Sequence, residues 1–355
     1  MATKPYVFSG NAYRHREEVH AWAKLREEPA LEPELPIIDP HHHLWDADER
    51  GRYLIHELAA DVATGHNIVA TVFMECGVMY RKDGPQAMKP VGEVEFVNGV
   101  AAMSASGRYG KARLCDAIIG HADLMLGDDV KPVLEALVAA GNGRFKGIRH
   151  GVCWDTGKAA SFGRRQVPQH QVLDPVFRKG FAHLGRMGLS FESWQFHPQL
   201  PDVVDLMRAF PETNVILNHC GGLLHLPPHD GDRKETFKVW RSHIRELAQF
   251  QNLTMKVGGL GMLYCDWDFH LRDQPPSSEE LANVWRPYVE ECIDAFGADR
   301  CMMESNFPVD KQSCGYGVLW NALKRITQRC SDAEKKALYS GTAARVYRMQ
   351  VPALA

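Results

Sequence analysis

The sequence predicts an α/β protein: a closed (β/α)8 TIM barrel with an N-terminal helical arm. Three observations carry that prediction. From Pro36 onward, eight short apolar, β-branched runs alternate with longer amphipathic stretches, the pattern of a parallel sheet crossed by helices. Neither GxGxxG nor GxxxxGK[ST] follows the first run, so the nucleotide fingerprints of open α/β sheets are missing from their expected place. Each run carries a polar residue at or near its end, and strand C-terminal ends are where a barrel builds its active site.

Residues 1–35 read as the arm and residues 36–355 as the barrel. The stretch 13–28 is charged and helix-prone and stops at Pro29. Residues 30–36 (ALEPELP) form an extended linker, because each proline restricts the residue before it. The arm is expected to pack on the outside of the barrel or on a partner subunit of a homo-oligomer. The eight expected strands are 37–41, 68–75, 116–121, 145–150, 189–194, 214–219, 253–257 and 301–304. The clearest helical patterns are 91–106, 130–140, 174–187, 202–210, 234–250 and 278–296. Asp174 and Pro175 suit an N-cap and first helical residue, Gly188 and Gly297 suit positions just past a helix, and Ser331 with Glu334 suits a capping box. The connections 151–173 and 258–277 are long and follow strands, so both belong at the catalytic face.

Composition narrows the function. The 41 basic and 44 acidic residues give a formal net charge of −3, which argues against a bulk electrostatic nucleic-acid binder. No apolar run is long enough to span a bilayer, and the first ten residues lack a signal-peptide core. The nine cysteines form no CxxC pair, so reduced thiols and a cytoplasmic location are expected. The 17 histidines are the unusual figure, since histidine binds metals and titrates near neutrality.

The polar strand ends form one candidate site. They are His41 and His43, Glu75, His121, Arg149, Glu192 with Trp194, His219, Lys256, and Glu304 with Asn306. His41 and His43 are two apart on an extended chain, so both imidazoles project to one side and suit a shared metal or a shared anionic oxygen, while His42 points away. Arg149 reads as the anchor for an anionic group on a small-molecule substrate, because its planar fork binds a carboxylate bidentately; the alternative is a neighbouring strand-end carboxylate. Lys256 suits either the substrate or an internal ion pair. Trp194 and Trp45 read as pocket walls. His150, His170, His197, His225, His229 and His270 lie in or near loops and read mostly as surface histidines.

The motif Asp39-Pro40-His41-His42-His43-Leu44-Trp45-Asp46 resembles the first-strand signature of the amidohydrolase superfamily. Asn218-His219-Cys220-Gly221 resembles its sixth-strand histidine. Phe145-Lys146-Gly147-Ile148-Arg149-His150 and Glu304-Ser305-Asn306-Phe307-Pro308-Val309-Asp310 resemble the amidohydrolase-2 branch, in particular the group with sugar-acid and pyrone-dicarboxylate lactonases. The likeness runs from Pro36 to the C-terminal helix. It implies a hydrolase that opens a small carboxylated or hydroxylated lactone with activated water. His41, His43 and His219 would hold one divalent metal, zinc or manganese, or would hold the substrate without metal; no organic cofactor is implied. Two departures stand out. The strand-eight aspartate is Asn306, and an amide has no basic form near neutral pH. The fifth-strand histidine has no counterpart on its strand. Glu304, Glu192 and Glu75 therefore become the candidate bases, with Glu304 first because it shares a strand face with position 306. A decarboxylase or hydratase of the same branch is the second reading. A non-catalytic ligand-binding barrel is the third, and so many ionisable groups at the strand ends argue against it.

Overall fold

The computed structural model of the chain describes residues 13–47, 51–157, 159 and 167–351. Eight strands lie in one parallel sheet in chain order: β1 Ile37–His42, β2 Ile68–Met74, β3 Arg113–Gly120, β4 Phe145–Arg149, β5 Ser190–Ser193, β6 Val215–Leu217, β7 Leu253–Val257 and β8 Cys301–Met303. The sheet closes on itself just past β8. Asn306 N donates to His41 O at 2.9 Å, His43 N donates to Phe307 O at 2.8 Å, and His42 pairs in parallel with Phe307. The strands are buried over nearly their whole length, as expected of a sheet covered by helices on one side and packed on itself on the other.

All eight expected strands are present, and their ends move by a few residues at most. The helices follow the caps read from sequence. Asp174 accepts from Val176 N, with Pro175 starting helix Pro175–Arg186; Ser331 and Glu334 form the capping box of Asp332–Lys336. The floor of the barrel is apolar. Ile38, Val72, Ala117 and Met302 pack there against Ala343, Tyr347 and Val351 from the C-terminal segment.

The helix of the arm is shorter than expected, Arg16–Ala23 rather than 13–28. The chain turns after it, and Glu28 then caps the barrel helix Ser278–Phe296 by accepting from Ser278 N at 2.8 Å. Trp22 Nε1 donates to Arg272 O, and Lys324 Nζ donates to Leu31 O and Glu32 O, so the arm lies against its own barrel. Among the described residues no helix is long and apolar enough to cross a membrane. Part of the expected long connection after β4 lies outside the described residues; the connection after β7 is present, with Gly258, Gly259 and Gly261 folded over the strand ends.

Candidate active site

The extended end of β1 sends His41 and His43 to one side, as the two-residue period requires. Their Nε2 atoms are 3.3 Å apart and the rings stand at 76°. His42 turns the other way, where its Nε2 lies 2.8 Å from the Thr71 hydroxyl, and burial lowers its pKa to about 3.

The proton on each site histidine follows from its partner. His43 Nδ1 is 2.9 Å from the Met74 carbonyl, which can only accept, so Nδ1 carries the proton and Nε2 a bare lone pair. His219 Nδ1 is 2.8 Å from Glu304 Oε1, with the same consequence. Arg149 Nη1 donates to His41 Nε2 at 3.4 Å, so that nitrogen is also bare, and His41 Nδ1 stands 2.9 Å from Glu304 Oε2. Burial pushes the pKa values of all three rings down. Lys256 adds to the effect at His41 and Arg149 at His43, while Glu304 opposes it at His219. Three neutral imidazoles thus stand together, with His41 and His219 ring centres 4.5 Å apart.

Local backbone chemistry fixes His219. The residue sits in the left-handed region at φ 56°, which turns its ring under the loop after β7. A Cβ on Gly259 would lie 2.4 Å from His219 Nδ1, and one on Gly258 would lie 2.5 Å from Glu304 Cγ. The two glycines are what let this loop close down on the His219–Glu304 pair. Trp194 stands edge-on to His219 at 4.8 Å and Trp45 stacks near His43 at 5.9 Å, so both tryptophans flank the histidines.

The carboxylates all face protein groups. Glu304 accepts from the backbone N and Nδ1 of His219 through Oε1 and faces His41 through Oε2. Glu304, ranked first among the candidate bases, is thus fully buried against two imidazoles. Glu192 lies below the site. Its Oε2 is 2.9 Å from Lys256 Nζ and accepts from Asn218 Nδ2, and its Oε1 accepts from the Tyr347 hydroxyl. Glu192 and Lys256 are both fully buried, so the expectation that they contact substrate gives way to an internal ion pair. Glu75 takes the guanidinium of Arg149: Nε donates to its Oε1 at 2.8 Å and Nη2 to its carbonyl at 2.6 Å. The fork expected to clamp a substrate carboxylate is therefore engaged by Glu75, the neighbouring-carboxylate alternative. His121 Nδ1 lies 3.0 Å from the Arg149 carbonyl and holds that strand end in place.

Asn306 donates its amide to Asp310 Oδ1 at 2.7 Å, while Gly261 N donates to Asp310 Oδ2. Burial holds the Asp310 carboxyl well above the usual carboxylate range. Asp310 and Tyr347 escaped the reading from sequence. Asp310 lies in the quoted strand-eight motif, four residues after Asn306, and that spacing was its one signal; Tyr347 carried none. The loop histidines also need correction: His150, His197 and His225 are buried, because each ring takes up a backbone group of a loop, Leu124 N, Leu224 N and Gly231 O respectively.

The donor set suits a divalent ion. His41, His219 and Glu304 each offer a ligand atom, all within 4.8 Å of one another, a group that has Glu304 rather than His43 as its third member. His41 Nδ1 and Glu304 Oε2 are buried without a well-directed hydrogen bond. Two nitrogens bound to one tetrahedral zinc at roughly 2.0–2.1 Å lie about 3.3 Å apart, which is the spacing of the His41 and His43 Nε2 atoms. A metal-binding histidine commonly gives its second N–H to a carboxylate or a backbone carbonyl, and Glu304 and the Met74 carbonyl stand in those places.

A family model of the amidohydrolases matches residues 38–349. An uncharacterized protein of Sinorhizobium fredii is 33% identical over 338 residues, covering 89% of this chain and 99% of that protein. An L-fucono-1,5-lactonase of Burkholderia multivorans is 28% identical over 332 residues, covering 89% and 97%. A solved amidohydrolase of Burkholderia multivorans with bound zinc has a TM-score of 0.66 at 24% identity, covering 88% of this chain and 99% of that one; that likeness shows the shared fold. The closed barrel and the family match define a barrel hydrolase. The chain belongs to the amidohydrolase family.

Proposed function

We propose that the protein opens the ring of a small carboxylated or hydroxylated lactone by adding water across its ester bond. The observation that carries the reading is the group of three buried imidazoles whose Nδ1 atoms face acceptors, with the His41 and His43 Nε2 atoms 3.3 Å apart and the His41 and His219 ring centres 4.5 Å apart. The relative named as an L-fucono-1,5-lactonase supports the reaction class.

His41, His43 and His219 would hold the metal. When bound, a divalent ion there supplies a Lewis acid for the ester carbonyl and lowers the pKa of water. Glu304 keeps the proton of His219 on Nδ1 and faces Nδ1 of His41; the Met74 carbonyl does the same for His43. Trp45 and Trp194 exclude water from the flanks. Asn306, tied to Asp310, offers its amide oxygen as an acceptor and holds no transferable proton.

One observation favours a metal-free variant of the same reaction. Arg149 donates to His41 Nε2 and so brings a positive charge into the histidine cluster. In that variant His219 Nε2 takes a proton from water as the water oxygen adds to the ester carbonyl carbon, Glu304 stabilises the resulting imidazolium, and the imidazolium returns the proton to the ring oxygen as the C–O bond breaks.

The test is a pH-stat screen of sugar-acid 1,4- and 1,5-lactones and pyrone carboxylates, run with chelated protein and with zinc or manganese added. Turnover of at least one lactone, lost in His41→Ala, His43→Ala and His219→Ala proteins that remain folded, is the expected result. Failure to hydrolyse any lactone under either condition would overturn the reading.

A further inference from the structure

The unprotonated nitrogen of an imidazole has a single lone pair. It can accept one N–H or bind one cation, and it cannot do both. At His41 this nitrogen is Nε2, and two claimants face it. One is the cation position implied by His43 Nε2, 3.3 Å away. The other is Arg149, whose Nη1 donates to the same atom. Arg149 is held where it is. Glu75 takes its Nε and Nη2, His121 holds its backbone carbonyl, and the residue is 6% exposed.

From this geometry we infer that Arg149 is a built-in competitor of the divalent ion at the His41–His43 pair, a residue that sets metal occupancy from inside the site. The ion can take the His41 lone pair only as the Arg149 N–H leaves it. The guanidinium then remains nearby on Glu75, and its charge opposes that of the ion. Glu75 governs the strength of the opposition, because its carboxylate offsets the arginine charge and holds the fork toward β2. The inference rests on the three histidines forming a metal site, and it adds the residue that weakens that site.

The experiment titrates the full-length, metal-stripped protein with zinc against a chromophoric chelator. Arg149→Met removes the donor and the charge while keeping an unbranched stem. Its zinc dissociation constant is expected to fall roughly 10- to 100-fold, the worth of a hydrogen bond to a charged group. Arg149→Lys keeps the charge but loses the fork, and should fall between the two. Equal or weaker zinc binding by folded Arg149→Met overturns the inference. Should that variant fail to fold, Glu75→Gln gives the opposite test. With the arginine charge no longer offset, zinc binding should weaken several-fold, and unchanged or tighter binding overturns the inference. If neither the parent nor the variants bind zinc, the inference falls. Lactone turnover by the chelated parent, measured in parallel, then decides whether the proposed reaction falls with it.

Discussion

Replacing Glu304 with Gln tests whether this carboxylate orients the site or acts as its base. The carboxylate presents only acceptors, and both oxygens face imidazole Nδ1 atoms, His219 at 2.8 Å and His41 at 2.9 Å. A glutamine keeps the shape but has one oxygen and one NH2. Whichever histidine meets the NH2 must give up its Nδ1 proton and carry it on Nε2, which removes one of the three bare nitrogens. One hydrogen bond to a charged group is worth about 1.5–3 kcal/mol. Forcing the wrong tautomer on a catalytic imidazole costs up to about 10,000-fold in turnover. The expected fall in kcat/KM for a lactone substrate is therefore about 100- to 10,000-fold, with most of it in kcat, because the carboxylate acts through the histidines rather than on the substrate. The assay is steady-state hydrolysis from about pH 6 to 9, paired with nitrogen NMR of the histidine rings to read the tautomers. Turnover within about threefold of the parent, with the Nε2 nitrogens still bare, would refute the orienting role.

Three further outcomes follow from the packing. Gly259→Ala should abolish turnover and lower the melting temperature, since its φ is +64° and the added Cβ would fall 2.4 Å from His219 Nδ1; a fully active, equally stable variant would show that the loop is not moulded on the histidine. Tyr347→Phe removes the hydroxyl that donates to Glu192 Oε1 at 2.6 Å and should cost about 1–3 kcal/mol in urea unfolding, with KM unchanged. Glu93 accepts from Cys76 N and Val78 N, and burial, with Glu75 adding to the effect, raises its pKa from 4.5 to about 8. The folded protein keeps a proton that the unfolded chain gives up, so the stability that this group contributes is present below pH 4.5 and is lost as pH rises toward 8. Glu93→Gln should gain stability relative to the parent across that window, and parallel urea midpoints for the two proteins would refute the shift.

What could be read from the sequence is what periodicity carries. The eight strands and most helix ends follow from apolar spacing and capping residues, which are local properties. His41 and His43 could be placed together because a two-residue separation on a strand fixes their common side. Pairings across strands were out of reach. That Glu75 on the second strand end takes Arg149 from the fourth, or that Glu192 takes Lys256, depends on barrel register and on the direction of long side chains, neither of which leaves a trace in spacing. The contacts of Glu304 were out of reach for the same reason. A strand face locates the residue beside position 306, but only the turn that carries His219 into the left-handed region brings its Nδ1 onto that carboxylate. Buried His150, His197 and His225 were misread because a loop position was taken to mean exposure, whereas each ring serves as a hydrogen-bonding partner for loop backbone.

The floor of the barrel has a consequence for how the protein is made. Tyr347 follows all eight strands in chain order, yet its hydroxyl completes the acceptor shell of Glu192 on β5, directly beneath the histidines. On a ribosome, Glu192 and Lys256 emerge roughly 90 residues or more before that hydroxyl. A nascent barrel with all its strands present would still hold a buried carboxylate one donor short, with an open apolar floor beneath it. The step that closes the fold and the step that finishes the support of the active site are then a single event, the docking of the segment that carries Ala343, Tyr347 and Val351.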